Sequence, residues 1–236
     1  MSTRNLAGLD WSRRVAVRVS GRNRQRKLRL FMDTFCPDKA TTVLDVGFAE
    51  GSWMPDANYL EQHYPWPGRL TALSVDEPLE GPRLYPAVEF VQYDGRRFPF
   101  DDGQFDIARS NAVLEHVGGH ERQVLFVSEL RRVAKAVWLT TPNRGFPIDS
   151  HSLIPLAHWL PAGARDRVYL CFGKTWATSE FCNLLYRSDL ERLLHEAGAG
   201  QFRITTNRLM GWPLEFVVVI DGPATGGRRA AHPGRG

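Results

Sequence analysis

Residues 43–51 read Val-Leu-Asp-Val-Gly-Phe-Ala-Glu-Gly, and they restrict the fold more than any other stretch of the chain. A short β-branched run ends just past an acid, Asp45, and the backbone then turns on two glycines, Gly47 and Gly51. Small residues at 47, 49 and 51 let the main chain pass close to a ligand. A helix beginning at Ser52 would present free N–H groups and a positive dipole end to a carboxylate or phosphate. The dinucleotide-binding pattern would place glycines at 47, 49 and 52, but Ala49 and Ser52 occupy the last two positions.

The rest of the chain repeats this alternation. Leu70–Val75, Val88–Tyr93, Phe105–Arg109 and Ala136–Thr140 read as further strands after Thr42–Val46. Glu121–Val133 is an amphipathic helix, and Ser188–Ala197 another, with Ser188 as N-cap and Gly198 as its stop. Phe202–Thr206 and Leu214–Ile220 close the chain as a hairpin. Near the start, Leu28, Phe31, Met32 and Phe35 make one apolar helical stripe within Arg22–Phe35. Val15, Val17 and Val19 alternate ahead of Gly21 and fit either an edge strand or a helix. Strands alternating with helices predict an α/β fold with a doubly wound, mostly parallel sheet.

Three regions follow: a basic segment and helix over 1–40, one domain over 41–221, and a Gly, Pro, Ala and Arg tail over 222–236, expected to be disordered. Within the domain, about 142–187 is too long for an ordinary connection. It is rich in His, Trp, Phe and Pro and is expected to cover a substrate pocket.

Charge is divided unevenly. Residues 1–30 hold nine basic side chains against Asp10 alone, a net of +8, and the other 206 residues hold 21 basic against 25 acidic, a net of −4. A basic segment can dock nucleic acid, or it can be a solvated arginine face. The 43% hydrophobic and 24% charged content excludes a disordered chain. No run of eighteen apolar residues exists, so no transmembrane segment is expected, and no secretory signal is read at the N-terminus. Cys36, Cys171 and Cys182 lie far apart at no metal-ligand spacing, which predicts no metal, no disulfide framework and a cytoplasmic location.

The segment VLDVGFAEG resembles the first motif of the class I S-adenosylmethionine-dependent methyltransferases, with Ala49 in place of the middle glycine. The likeness continues in order through LSVDEP, VEFVQYDG, FDIARSNAVLEHV and TTPNRG. It implies a Rossmann-like seven-stranded sheet with the last strand antiparallel, and S-adenosyl-L-methionine as cofactor. It also implies cofactor-binding roles for Asp45, Gly47, Phe48, Ala49 and Gly51 in the glycine loop. Asp76 would take the ribose hydroxyls, with Glu77 as the alternative; Asp94 and Gly95 would meet the adenine, and Ser110 and Asn111 the sulfonium region.

Methyl transfer is an in-line displacement that needs alignment, exclusion of water and, for a hydroxyl, removal of a proton. It needs no metal, covalent nucleophile or oxyanion hole. His151, just past the fifth strand, is the first candidate for the proton acceptor, and His116 the second. The expected acceptor is a small molecule, lipid or glycan. Nucleic acid is not expected, because SNAV stands after the fourth strand where an N/D-P-P-aromatic tetrad would be needed. An RNA or DNA methyltransferase and a non-catalytic cofactor-binding scaffold are the alternative readings.

Overall fold

The computed structural model describes residues 11–51, 57–149, 151–209 and 211–221, with side chains from residue 21 onward. The expected helix start at Ser52 and the expected disordered tail over 222–236 lie outside the described residues.

Seven strands form one sheet in the order β3-β2-β1-β4-β5-β7-β6. They are β1 (Val43–Val46), β2 (Leu70–Ser74), β3 (Glu89–Gln92), β4 (Phe105–Asn111), β5 (Ala134–Pro142), β6 (Phe202–Leu209) and β7 (Trp212–Ile220). The first five run parallel, and β7 lies antiparallel between β5 and β6. All four positions of β1 and all five of β2 are buried, as expected for strands covered on both faces. The chain leaves β1 in the middle of the sheet, and the order reverses between β1 and β4. A ligand crevice belongs at that switch point, outside the carboxyl ends of the strands.

Two cores flank the sheet. On one face, α4 (His120–Val133) and α6 (Arg187–Glu196) bury Phe126, Val127, Leu130, Leu190 and Leu193 against Leu44, Val137, Leu139 and Val218. On the other, α1 (Trp11–Phe35) lays Leu28, Phe31, Met32 and Phe35 over Ile107, Trp138, Val217 and Val219. Phe31 meets Trp138 edge-on at 5.8 Å, and burying a ring of this size contributes about 1.5–3 kcal/mol. Short helices α2 (Tyr59–His63) and α3 (Gly81–Leu84) sit in the connections around β2.

Two boundaries differ from the sequence reading. The first helix covers Trp11–Phe35 and takes in Val15, Val17 and Val19, so of the two readings of that stretch the helix holds, and it runs on through Gly21 into the expected Arg22–Phe35 helix. A lone helical glycine costs about 1 kcal/mol, too little to break a helix anchored further along by an apolar stripe. The last helix is capped at Tyr186 rather than Ser188, because the Asp189 carboxylate reaches back to the Tyr186 N–H at 3.3 Å.

The long segment after β5 leaves and rejoins the sheet at one place, where Asn143 bridges Leu185. It contains α5 (Ala162–Cys171) and a small core of Ala157, Tyr169 and Ala177. Its larger aromatics stay outside that core: Phe172, Trp176 and Phe181 are 67%, 52% and 50% exposed.

Candidate active site

The glycine loop after β1 is held in shape by contacts that leave its outer rim open. Gly47 has φ +108, and a Cβ there would stand 2.2 Å from Val113 Cγ2, so only glycine fits. Gly51 has φ +62 and open space where a side chain would be. Asn58 grips Ala49 twice, accepting from its N–H and donating to its carbonyl, each at 3.0 Å. Glu50 accepts from the N–H of Glu80 at 2.6 Å, which ties the loop to the turn after β2. Asn58 and Glu50 were not singled out from the sequence, and their roles are visible only once the loop is folded.

Asp76 and Glu77 stand exposed just past β2, and Asp94 stands exposed past β3. Asp94 accepts from the Arg96 N–H at 2.9 Å, and Gly95 turns the chain there with φ +77. Asn111 ends β4 half-buried, accepting from the Thr140 hydroxyl at 2.9 Å. Ala112 follows in the left-handed region, φ +56, a strained position for a residue with a Cβ. The open glycine rim and the exposed acids thus share the carboxyl edge of β1–β4, an arrangement that fits an adenosyl cofactor laid across the strand ends.

Three sequence-chosen side chains do not reach this edge. Phe48 is 4% exposed and stacks edge-on with Phe90 at 4.9 Å. Ser110 is fully buried, and its hydroxyl donates to the Val46 carbonyl at 3.1 Å. Asp45 is 7% exposed and accepts from Arg109 Nη1 at 2.7 Å. Alternation explains all three, since each lies on or beside a central strand whose two faces are covered. Beside Asp45, burial and the neighbouring charge push the Glu61 carboxyl well above its usual range.

A second cluster sits past β4 and β5. A turn at Leu114–His116 carries Glu115 and His116, and the long segment brings His151 to them. The two imidazoles meet at Nε2 to Nε2, 2.9 Å apart. His116 Nδ1 faces the Phe181 carbonyl at 2.8 Å, and His151 Nδ1 faces Asp149 Oδ1 at 3.0 Å. Burial alone would lower the His151 pKa, but Asp149, Cys182 and Glu115 override it and push it up to about 11. The same hydrogen bond holds Asp149 far below the carboxylate range despite its burial. Cys182 lies 3.6 Å from His151 Nδ1, and burial raises its thiol. His151 and His116 are therefore brought together as a pair, with neither offering a lone free nitrogen. His158, by contrast, is buried and bonded to the carbonyls of Arg144 and Phe146.

The basic face of α1 divides in the same way. Arg22, Arg26 and Arg29 are exposed, whereas Lys27 is 5% exposed and bound to Glu215 on β7 at 3.0 Å. Among the described residues, no helix is long and apolar enough to cross a membrane.

Residues 44–136 match the family model of the methyltransferase domain. No curated protein matches the chain. Among solved structures, the N-terminal domain of EvdMO1 with SAH bound is similar at 18% identity and a TM-score of 0.52, over 85% of this chain and 81% of that one. The carbon methyltransferase of CurJ aligns at 17% identity and a TM-score of 0.52, over 81% of this chain and 50% of that one. The S-adenosylmethionine-dependent methyltransferase SibL aligns at 20% identity and a TM-score of 0.50, over 79% and 52%. These likenesses concern the fold, and the domain match covers the glycine loop, the three exposed acids and β4. The methyltransferase domain matched over residues 44–136 supports a methyl-transferring enzyme that uses S-adenosylmethionine as its cofactor, and the fold is shared with S-adenosylmethionine-dependent methyltransferases.

Proposed function

We propose that the enzyme methylates a hydroxyl oxygen of a small molecule, lipid or glycan acceptor that carries an apolar portion. One observation carries this reading: two half-exposed aromatic residues adjoin the histidine pair. Trp176 donates from Nε1 to the His151 carbonyl at 3.2 Å, and Phe181 supplies the carbonyl that faces His116. Both rings are about half exposed, and Phe172 is more so. Exposed apolar clusters of this kind mark binding surfaces.

The bound cofactor supplies an electrophilic methyl group on a sulfonium. The backbone of residues 47–51 receives its amino-acid end, and Phe48 contributes only main chain there. Asp76 accepts from the ribose hydroxyls, with Glu77 the alternative, while Asp94 and Gly95 meet the adenine edge. Asn111 borders the sulfonium, with Ser110 behind it as a strand tie. Asp45 shapes the loop from beneath through Arg109. His116 and His151 act together on the acceptor's hydroxyl, and the aromatic rings hold its apolar portion and exclude water. The exposed arginines of α1 are a solvated face.

The test is methyl transfer to matched pairs of hydroxylated acceptors, with and without an alkyl tail. The expected result is tail-dependent turnover. Phe181→Ser should raise KM for the tailed acceptor several-fold while S-adenosylhomocysteine affinity stays unchanged. Equal turnover with and without the tail, or methylation of RNA or DNA instead, would overturn the reading.

A further inference from the structure

The paired imidazoles raise a question of charge that the fold does not answer by itself. His116 Nδ1 lies 2.8 Å from the Phe181 carbonyl, an oxygen that can only accept, so this nitrogen carries its hydrogen. His151 Nδ1 lies 3.0 Å from the Asp149 carboxylate and carries its hydrogen likewise. A neutral imidazole protonated at Nδ1 has a bare lone pair at Nε2. The two Nε2 atoms nevertheless face each other at 2.9 Å. Two lone pairs this close repel unless one nitrogen is protonated or a metal ion lies between them.

A third donor points the same way. Glu115 is fully buried, and its Oε1 has no hydrogen-bond partner. That oxygen is 3.8 Å from His151 Nε2 and 4.0 Å from His116 Nε2. Its twin, Oε2, accepts from the Thr141 hydroxyl at 3.1 Å and so fixes the carboxylate. Cys182 adds a buried thiol, with a ligand atom from each of His116, His151 and Cys182 within 4.8 Å of the others.

We propose that His116 Nε2, His151 Nε2 and Glu115 Oε1 form a binding site for one divalent transition-metal ion. Two imidazoles and a carboxylate suit an ion of the zinc type, whereas magnesium and calcium prefer oxygen throughout. Metal–nitrogen bonds of about 2.0–2.1 Å put tetrahedral ligand atoms roughly 3.3–3.4 Å apart. The observed separations of 2.9, 3.8 and 4.0 Å bracket that value, so shifts of a few tenths of an ångström close the shell. The outer shell is already built, since metal-bound histidines donate their other N–H to a carboxylate or carbonyl, the roles Asp149 and the Phe181 carbonyl fill. Glu115 and Asp149 would balance the ion's two charges. The sequence conceals the site because its donors come from three separate segments, which is why cysteine and histidine spacing shows no metal signature. Ion binding does not depend on the proposed acceptor; only a role for the ion in holding the acceptor oxygen rests on that reading.

The experiment is calorimetric titration of the chelator-treated full chain with Zn²⁺, and spectroscopic titration with Co²⁺. The expected result is one ion per chain and an intense tetrahedral Co²⁺ spectrum. His116→Ala, His151→Ala and Glu115→Gln should each lose stoichiometric binding, and Asp149→Asn should weaken it about 10–100-fold. S-adenosylhomocysteine titration of each variant reports whether the fold is intact. No Zn²⁺ binding to the wild type, or equal binding by a cofactor-competent His116→Ala/His151→Ala double variant, would overturn the proposal. Zn²⁺ binding without methyl transfer to any hydroxylated acceptor would support this site and overturn the proposed function, and methyl transfer without Zn²⁺ binding would do the reverse.

Discussion

Arg109 and Asp45 form a buried ion pair under the glycine loop, with Nη1 2.7 Å from Oδ1 and their side chains only 7% and 10% exposed. The first acid of the glycine motif is thereby committed to its neighbour strand. Removing one partner of a buried pair leaves the other charged and unsolvated, a loss of about 3–5 kcal/mol. Asp45→Ala should therefore lower stability by that amount in urea unfolding. Asp45→Leu combined with Arg109→Met should recover most of it, because it removes both charges. Equal losses in the single and double variants would show that the pair is not what the site depends on.

Glu61 gives the protein a pH dependence of definite sign. Its folded pKa is raised by burial first and by the Asp45 charge second, above an unfolded value near 4.3. Between the two values the folded state holds one proton more than the unfolded state, so stability falls as pH rises. This contribution is complete below the unfolded pKa and is lost as pH climbs through the folded one. Glu61→Gln keeps the neutral shape and removes the titration. Its stability relative to wild type should increase from pH 5 to pH 8 in parallel urea curves, and a pH-independent difference would refute the assignment.

Gly47 is a steric requirement. With φ +108 and Val113 Cγ2 at 2.2 Å from an added Cβ, Gly47→Ala carries both backbone strain and a clash. The strain alone costs on the order of 1–3 kcal/mol. Gly47→Ala should lose at least that in thermal or urea unfolding, and adding Val113→Ala should restore only the clash component. Wild-type stability in Gly47→Ala would mean the loop relaxes freely.

Asp76 and Glu77 are adjacent and both exposed, so only binding distinguishes them. A carboxylate that accepts from two ribose hydroxyls contributes about 1.5–3 kcal/mol. Asp76→Ala should weaken S-adenosylhomocysteine binding by roughly that amount in calorimetry, with thermal midpoint unchanged. If Glu77→Ala loses affinity and Asp76→Ala does not, the ribose acid is Glu77.

The parts of this molecule that were legible in its sequence are those determined locally. Thr42–Val46, Leu70–Val75 and Phe105–Arg109 are β-branched or apolar runs bounded by turns, and each lies where the pattern indicated. The glycine loop was legible for the same reason, since glycines adopt positive φ without steric cost and both Gly47 and Gly51 do so. What escaped depends on partners distant in the chain. Phe48 turns inward because Phe90 and Tyr85 wait there, and neither is marked as its neighbour by spacing. His151 was chosen for its place after a strand, but its tie to Asp149 and its meeting with His116 belong to the folded long segment. Glu115 and Cys182 carry no signal of their own: an acid in a turn and a cysteine near an asparagine acquire chemistry only through the histidines they face.

The union of α1 with the last two strands sets a timetable for the nascent chain. Among the described residues Lys27 is paired with Glu215, 188 residues later, and Asn23 bonds Glu215 and Asn207 beside it. The helix thus emerges from the ribosome early with its polar anchors vacant, and its apolar stripe lacks Val217 and Val219 as well. At synthesis rates of about 5–20 residues per second, that wait lasts roughly ten to forty seconds. During it the arginine-rich helix lacks these partners, and a truncation that removes β7 would deprive it of them permanently.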